Sequence, residues 1–184
     1  MAEPQPAAAM IRLMARNNLW SNNRLHQACA ALSEAQYRQA RPSFFGSIHG
    51  TLNHILQVDR LYLDRLERRR PTPPPYGEEQ CPDLASLSAA QDAADRRLIV
   101  LCDGWNDADL ATTVSWVTRT RHGGETSNTI SATLLHLFQH QIHHRGQVHD
   151  MLSQTDVSPP QLDEFFLEED AERVARELAE LGVG

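Results

Sequence analysis

Between Ala7 and Ala35 the chain carries neither proline nor glycine. A stripe at three- and four-residue steps runs through Ile11, Met14, Asn18, Asn22, Leu25, Cys29 and Leu32. That period predicts one long amphipathic helix, with two amides at positions where it calls for apolar side chains. A second helix is predicted from Ser47 to Arg68, with the stripe Ile48, Leu52, Ile55, Asp59, Tyr62 and Leu66. Asp59 is its polar intruder. Five prolines between Arg68 and Asp83 forbid helix and favour an extended polyproline linker. A third helix is predicted over Leu84–Trp105, stopping at Gly104.

Residues 112–121, TTVSWVTRTR, alternate β-branched and polar residues and read as a short strand. His122-Gly-Gly-Glu makes a turn, after which Thr126–Ile130 pairs back as a hairpin; the alternative is an irregular loop. A fourth long helix is predicted from Asn128 to Leu152, and Pro159-Pro160 then breaks the chain. Leu167, Ala171, Val174, Leu178 and Leu181 mark a last amphipathic helix capped by Gly182, serving as a solvated cover or a dimer contact. The pattern is all-α, a four-helix bundle with a short hairpin or loop before the last long helix and an extra C-terminal amphipathic helix.

Charge adds to this picture mainly at the tail. Residues 163–180 hold eight acids and two arginines, a net −6 of the chain's −7. An acidic chain of this kind is not expected to bind nucleic acid electrostatically. All 17 basic residues are arginine, which removes a Schiff-base lysine and a Walker A phosphate loop. Cys29, Cys81 and Cys102 are far apart and form no CxxC pair, which points away from a cysteine zinc site or a dithiol motif. No apolar run approaches the ~18 residues of a membrane span. The opening MAEP meets Arg12 too early for a signal-peptide core. The expected location is cytoplasmic.

Five of the nine histidines fall within residues 136–149. His136, His140 and His144 repeat every fourth residue and form a row on one helix face, where neighbouring imidazoles can reach one ion. Gln147 continues that face, His143 is offset from it as an outer partner, and His149 lies on the opposite side. Helix two offers His49 and His54. A useful site needs at least three protein ligands, and helix bundles build such sites from facing helices. The inward polar residues Asn18, Asn22 and Asp59 point the same way, because each costs energy if buried without a partner. Gln141 stands where an HExxH motif has its glutamate, so that metallopeptidase base is missing, and no GxSxG elbow occurs.

These residues carry a resemblance to the DinB/YfiT-like superfamily of bacterial metal-binding four-helix bundles. MARNNLWSNNRL is similar to the family's opening N-x-W-x-N pattern through Asn18, Trp20 and Asn22, with Asn17 replacing a common aromatic. In SIHGTLNHILQVDRLYLDRL, His54 matches the L-x-H element, and in HQIHHRGQ the other two ligands map onto His140 and His144. The resemblance covers roughly residues 8–167 and divides the chain into a bundle, 1–167, and an acidic helical tail, 168–184. It implies one divalent metal per chain, nickel or zinc, held by His54, His140 and His144 with open solvent positions. It also implies a homodimer and a small-molecule substrate, which in some relatives involves a low-molecular-weight thiol.

Three neutral imidazoles leave the ion's charge uncompensated, so that a bound water or thiol loses its proton near neutral pH. The expected activity is that of a metal-dependent transferase, thiol S-transferase-like, or a hydrolase. The alternative is a non-catalytic metal-binding stress-response or interaction protein. Asp59, Asn18 and Asn22 are the candidate catalytic groups: Asp59 orients a ligand imidazole or pairs with Arg145, and the two asparagines bond to other helices. At about 100° per residue, with Ile48 at zero, His54 falls near 240°, at the edge of the apolar sector, and His49 near 100°, on the polar face. The wheel therefore also favours His54 and sends His49 to solvent.

Overall fold

A computed structural model describes residues 6–68, 81–118 and 124–184. Its long helices are α1 (Ala7–Cys29), α3 (Ile48–Leu66), α4 (Leu84–Gly104) and α6 (Ile130–Ser153). Short elements join them: α2 (Glu34–Arg38), α5 (Asp107–Leu110) and the antiparallel pair β1 (Thr113–Thr118) and β2 (Gly124–Thr129). Two single 3₁₀ turns, Glu164–Phe166 and Glu168–Asp170, lead into α7 (Ala171–Glu180). The polyproline run at 69–80 and the turn residues 119–123 lie outside the described residues.

Local chemistry sets the boundaries. α1 ends at Cys29 rather than running on to Ala35, because Ser33 starts a new helix with a capping box. Its hydroxyl accepts from the Gln36 amide at 3.3 Å, and the Gln36 side chain accepts from the Ser33 amide at 3.0 Å. Ser47, Asp83 and Thr129 cap α3, α4 and α6 in turn. α4 stops at Gly104 as the pattern predicts. The alternating stretch forms a hairpin: Thr113 pairs with Thr129 and Thr118 with Gly124. α7 closes with Gly182 at φ +72°, where Val183 donates to the Leu178 carbonyl.

α1 packs against α4, α4 against α3, α3 against α6 and α6 against α1, which closes a ring of four helices. Leu19, Leu25, Leu52, Ile55, Leu87, Leu134 and Leu137 fill it. α3 is the most enclosed of the four, with every residue from Thr51 to Asp59 buried. The tail covers α1 through a second cluster, in which Trp20 meets Phe165, Val174 and Leu178. Leu167 departs from the expected stripe: it is 46% exposed, and Phe165 takes the inward place ahead of the helix. No helix among the described residues is long and apolar enough to cross a membrane.

Candidate metal centre

α3 and α6 pack side by side, and that contact brings three histidines together. Ser47 caps the start of α3 and so fixes the turn that carries His54. On α6, His140 and His144 follow at one helical turn, with ring centroids 4.3 Å apart. The His54 ring lies 4.9 Å from that of His140 and 4.7 Å from that of His144. One ligand atom from each lies within 4.8 Å of the other two, and the Nε2 atoms of His54 and His140 are 3.0 Å apart. Two nitrogens on one tetrahedral ion at ~2.0–2.1 Å stand about 3.3 Å apart, so the donor set fits a single cation.

Electrostatics keep these rings ready to ligate. Burial lowers the pKa of His54 to about 4, with further lowering from His144. Burial and the neighbouring histidines lower His140 to about 3. Burial also lowers His144, against a raising hydrogen bond to Gln147. Near neutral pH all three are uncharged imidazoles, the form that ligates a metal. His144 Nδ1 lies 2.8 Å from Gln147 Oε1, so this nitrogen donates and Nε2 is left to ligate. Gln147 in turn donates to His143, which stands behind it as an outer partner. The His140 Nδ1 atom is buried without a hydrogen-bond partner among the described residues.

Phe45 closes one side, stacked on His54 at 3.9 Å and edge-on to His144 at 5.4 Å. Two glycines let it approach. Gly46 turns the chain at φ +73°, and a Cβ on Gly50 would stand 2.3 Å from the Phe45 carbonyl oxygen. The sequence holds no period that marks Phe45, which sits in a loop between helices.

His136 heads the predicted row but stays outside the cluster. It is exposed, stacks on Tyr62 at 5.2 Å, and keeps its ring 6.4 Å from His140. His49 corrects the helical wheel. It is buried, edge-on to the Tyr37 ring at 5.2 Å, because α2 covers the face that the wheel assigned to solvent.

Asn18, Asn22 and Asp59 belong to a different construction. Arg145 Nη1 donates to the side-chain oxygens of Asn18, Asn22 and Gln141 at 2.6, 3.1 and 3.1 Å. The amides of Asn18 and Asn22 donate to Asp95 at 2.9 Å each. Gln91 donates to Asp95 at 3.1 Å and to Asp59 at 2.6 Å. Gln141 donates to Asp59 and completes the circuit. All four long helices contribute to this buried ring.

Asp59 therefore neither orients a ligand imidazole nor bonds directly to Arg145; Gln141 stands between them. Asn18 and Asn22 are satisfied within this ring and Asp59 is engaged in it through Oδ2, so side-chain partners account for their inward placement without an ion. As candidate catalytic groups, Asn18 and Asn22 are engaged in the ring through both side-chain amide atoms, and Asp59 through Oδ2. Gln91 and Asp95 were missed in the sequence. The signal was there: they interrupt the apolar stripe of α4, Leu87, Ala94 and Leu98, as Asn18 and Asn22 interrupt that of α1. The thiols of Cys29, Cys81 and Cys102 are all buried and free, and burial pushes Cys29 and Cys102 up to about 12.

No curated protein matches the chain in sequence. Among the solved structures that share its fold are two DinB-like proteins. One is a DinB-like protein from Bacillus cereus, with a TM-score of 0.57 at 16% identity over 77% of this chain and 90% of that one. The other is a DinB-like protein from Bacillus subtilis, with the same score and identity over 81% of this chain and 96% of that one. The model of the DinB family matches residues 5–177, and the chain belongs to that family.

Proposed function

We propose that the protein is a metal-dependent enzyme that binds one divalent ion, nickel or zinc, through His54, His140 and His144. The observation that carries this reading is the set of three neutral imidazoles whose ligand atoms lie within 4.8 Å of one another, with no carboxylate in the group. A divalent cation held by neutral ligands keeps its full charge and acidifies a water or thiol bound to it. The reaction class that follows is transfer of a low-molecular-weight thiol to a small electrophile, or hydrolysis of one. Here the chain's own residues hold and orient the rings: Gln147 fixes the tautomer of His144, and Phe45 shields one face of His54. The three buried cysteines take no part as nucleophiles. The reading includes a homodimer acting on a small molecule in the cytoplasm.

The test is turnover of an electrophile in the presence of a panel of small thiols and of water alone, with metal removed and restored. Activity that follows metal content and survives Cys29→Ser, Cys81→Ser and Cys102→Ser is expected. Turnover that persists in the metal-free protein overturns the metal-dependent reading. Loss of turnover in Cys29→Ser with metal still bound overturns the exclusion of the cysteines as nucleophiles.

A further inference from the structure

The interior ring contains two acids, Asp59 and Asp95, and one cation, Arg145, all buried. With both carboxylates ionised it would carry an excess negative charge away from water, an expensive arrangement. The hydrogen bonds distinguish the two acids. Asp95 accepts from Asn18, Asn22 and Gln91 and uses both oxygens. Asp59 accepts only through Oδ2, from Gln91 and Gln141. Among the described residues its Oδ1 is buried with no partner, and so is Oε1 of Gln91. The two orphaned oxygens belong to side chains already joined at 2.6 Å through the Gln91 amide and Asp59 Oδ2. A proton on Oδ1 turns one orphan acceptor into a donor, and the other orphan is the acceptor it lacks. Acid and amide then pair through two bonds, N–H···O and O–H···O.

We propose that Asp59 is the neutral carboxylic acid in the folded protein, with its Oδ1–H donated to Gln91 Oε1, so that the ring carries one Arg145–Asp95 charge pair and no net charge. Burial first, and then Asp95, push the Asp59 carboxyl up to about 8 against the lowering bonds from Gln91 and Gln141 and the more distant Arg145. Burial raises Asp95 only to about 6, because the Asn22, Gln91 and Asn18 amides and Arg145 oppose it. The charged groups facing Asp59 are Asp95 from α4 and Arg145 from α6. From α1 come the neutral amides of the ring, with His26, lowered to about 4 by burial and by Arg145, farther off. Among the described residues no hydrogen bond joins Asp59 to His54, His140 or His144, so the proposal stands without the metal reading.

The chain then takes up a proton as it folds. An ordinary aspartate loses its proton near 3.8, and Asp59 in the folded state near 8. Between these values the unfolded chain binds fewer protons than the folded one. The contribution of this group to stability therefore falls as pH rises across that window.

An amide at position 59 offers the same donor and acceptor as the neutral acid, whereas an amide at 95 removes the counter-charge of Arg145. The experiment compares wild type, Asp59→Asn and Asp95→Asn by thermal melting between about pH 5 and about pH 9. It adds ¹³C NMR of aspartate-labelled protein. Wild type is expected to show one carboxyl carbon with a neutral-acid shift that titrates near pH 8 and is missing from Asp59→Asn. Asp59→Asn melts at or above wild type on the alkaline side. Asp95→Asn melts lower throughout, and its failure to fold is the extreme of that result. The proposal is overturned if every aspartate of wild type is ionised near pH 6, or if Asp59→Asn melts well below wild type or does not fold.

Discussion

His49 and His54 are both buried on α3, and His54 joins the two histidines of α6 while His49 packs against Tyr37. His54→Ala is therefore expected to lose at least about tenfold in metal affinity, since even outer-partner changes cost 10- to 100-fold. His49→Ala keeps wild-type affinity while losing stability, because it vacates the contact with Tyr37. Metal titration of the two variants decides, and the reverse order would contradict the site. Gln141 makes a second residue-scale case. It donates to Asp59 and accepts from Arg145, which a carboxylate cannot do. Gln141→Glu restores an HExxH pattern yet adds a third acid to the ring, and is expected to destabilise the fold by about 2 kcal/mol or more, read from denaturant melts. His26, buried and lowered to about 4, gives the acid-side counterpart of Asp59. The unfolded chain binds a proton at about pH 6.5 that the folded one refuses until about pH 4, so stability falls as pH drops through that window. His26→Gln should flatten that slope, and an unchanged slope would contradict it.

At the scale of elements, the helices were legible where period and punctuation agreed. Gly104 ends α4, and Gly182 caps the tail. Period alone failed at Ser33, where a capping box broke a run free of proline and glycine. The wheel failed for His49 because burial by α2 is a tertiary fact that α3 alone does not encode. The four-residue spacing on α6 found His140 and His144 but also promoted His136, which shares their face and turns to Tyr62. The amides and Asp59 were correctly read as inward, but a buried polar side chain does not say whether its partner is an ion or another side chain. The tail makes its own prediction. Trp20 donates to Glu177 at 2.5 Å, and Arg24 pairs with the same carboxylate at 2.8 Å. Removing residues 168–184 uncovers Trp20 and loses the burial of Val174 and Leu178, at about 1.5–3 kcal/mol each. A lower melting temperature and red-shifted tryptophan emission are expected, and unchanged emission would show that the tail does not cover α1.

For the whole molecule, α6 unites the two constructions. His140 and His144 belong to the three-histidine group, while the next residue after each, Gln141 and Arg145, enters the ring that ties the four helices together. The ring thus holds the rotation of α6 on which the histidine geometry depends. The expected homodimer is checked by light scattering, where a 20.7 kDa species at micromolar concentration would count against it. The most direct test of the central claim is elemental analysis of the purified protein combined with X-ray absorption at the metal edge. About one divalent ion per chain, surrounded by imidazole nitrogens and light solvent atoms, is the predicted result. Sulfur in the coordination shell, or no stoichiometric ion after reconstitution, would contradict it.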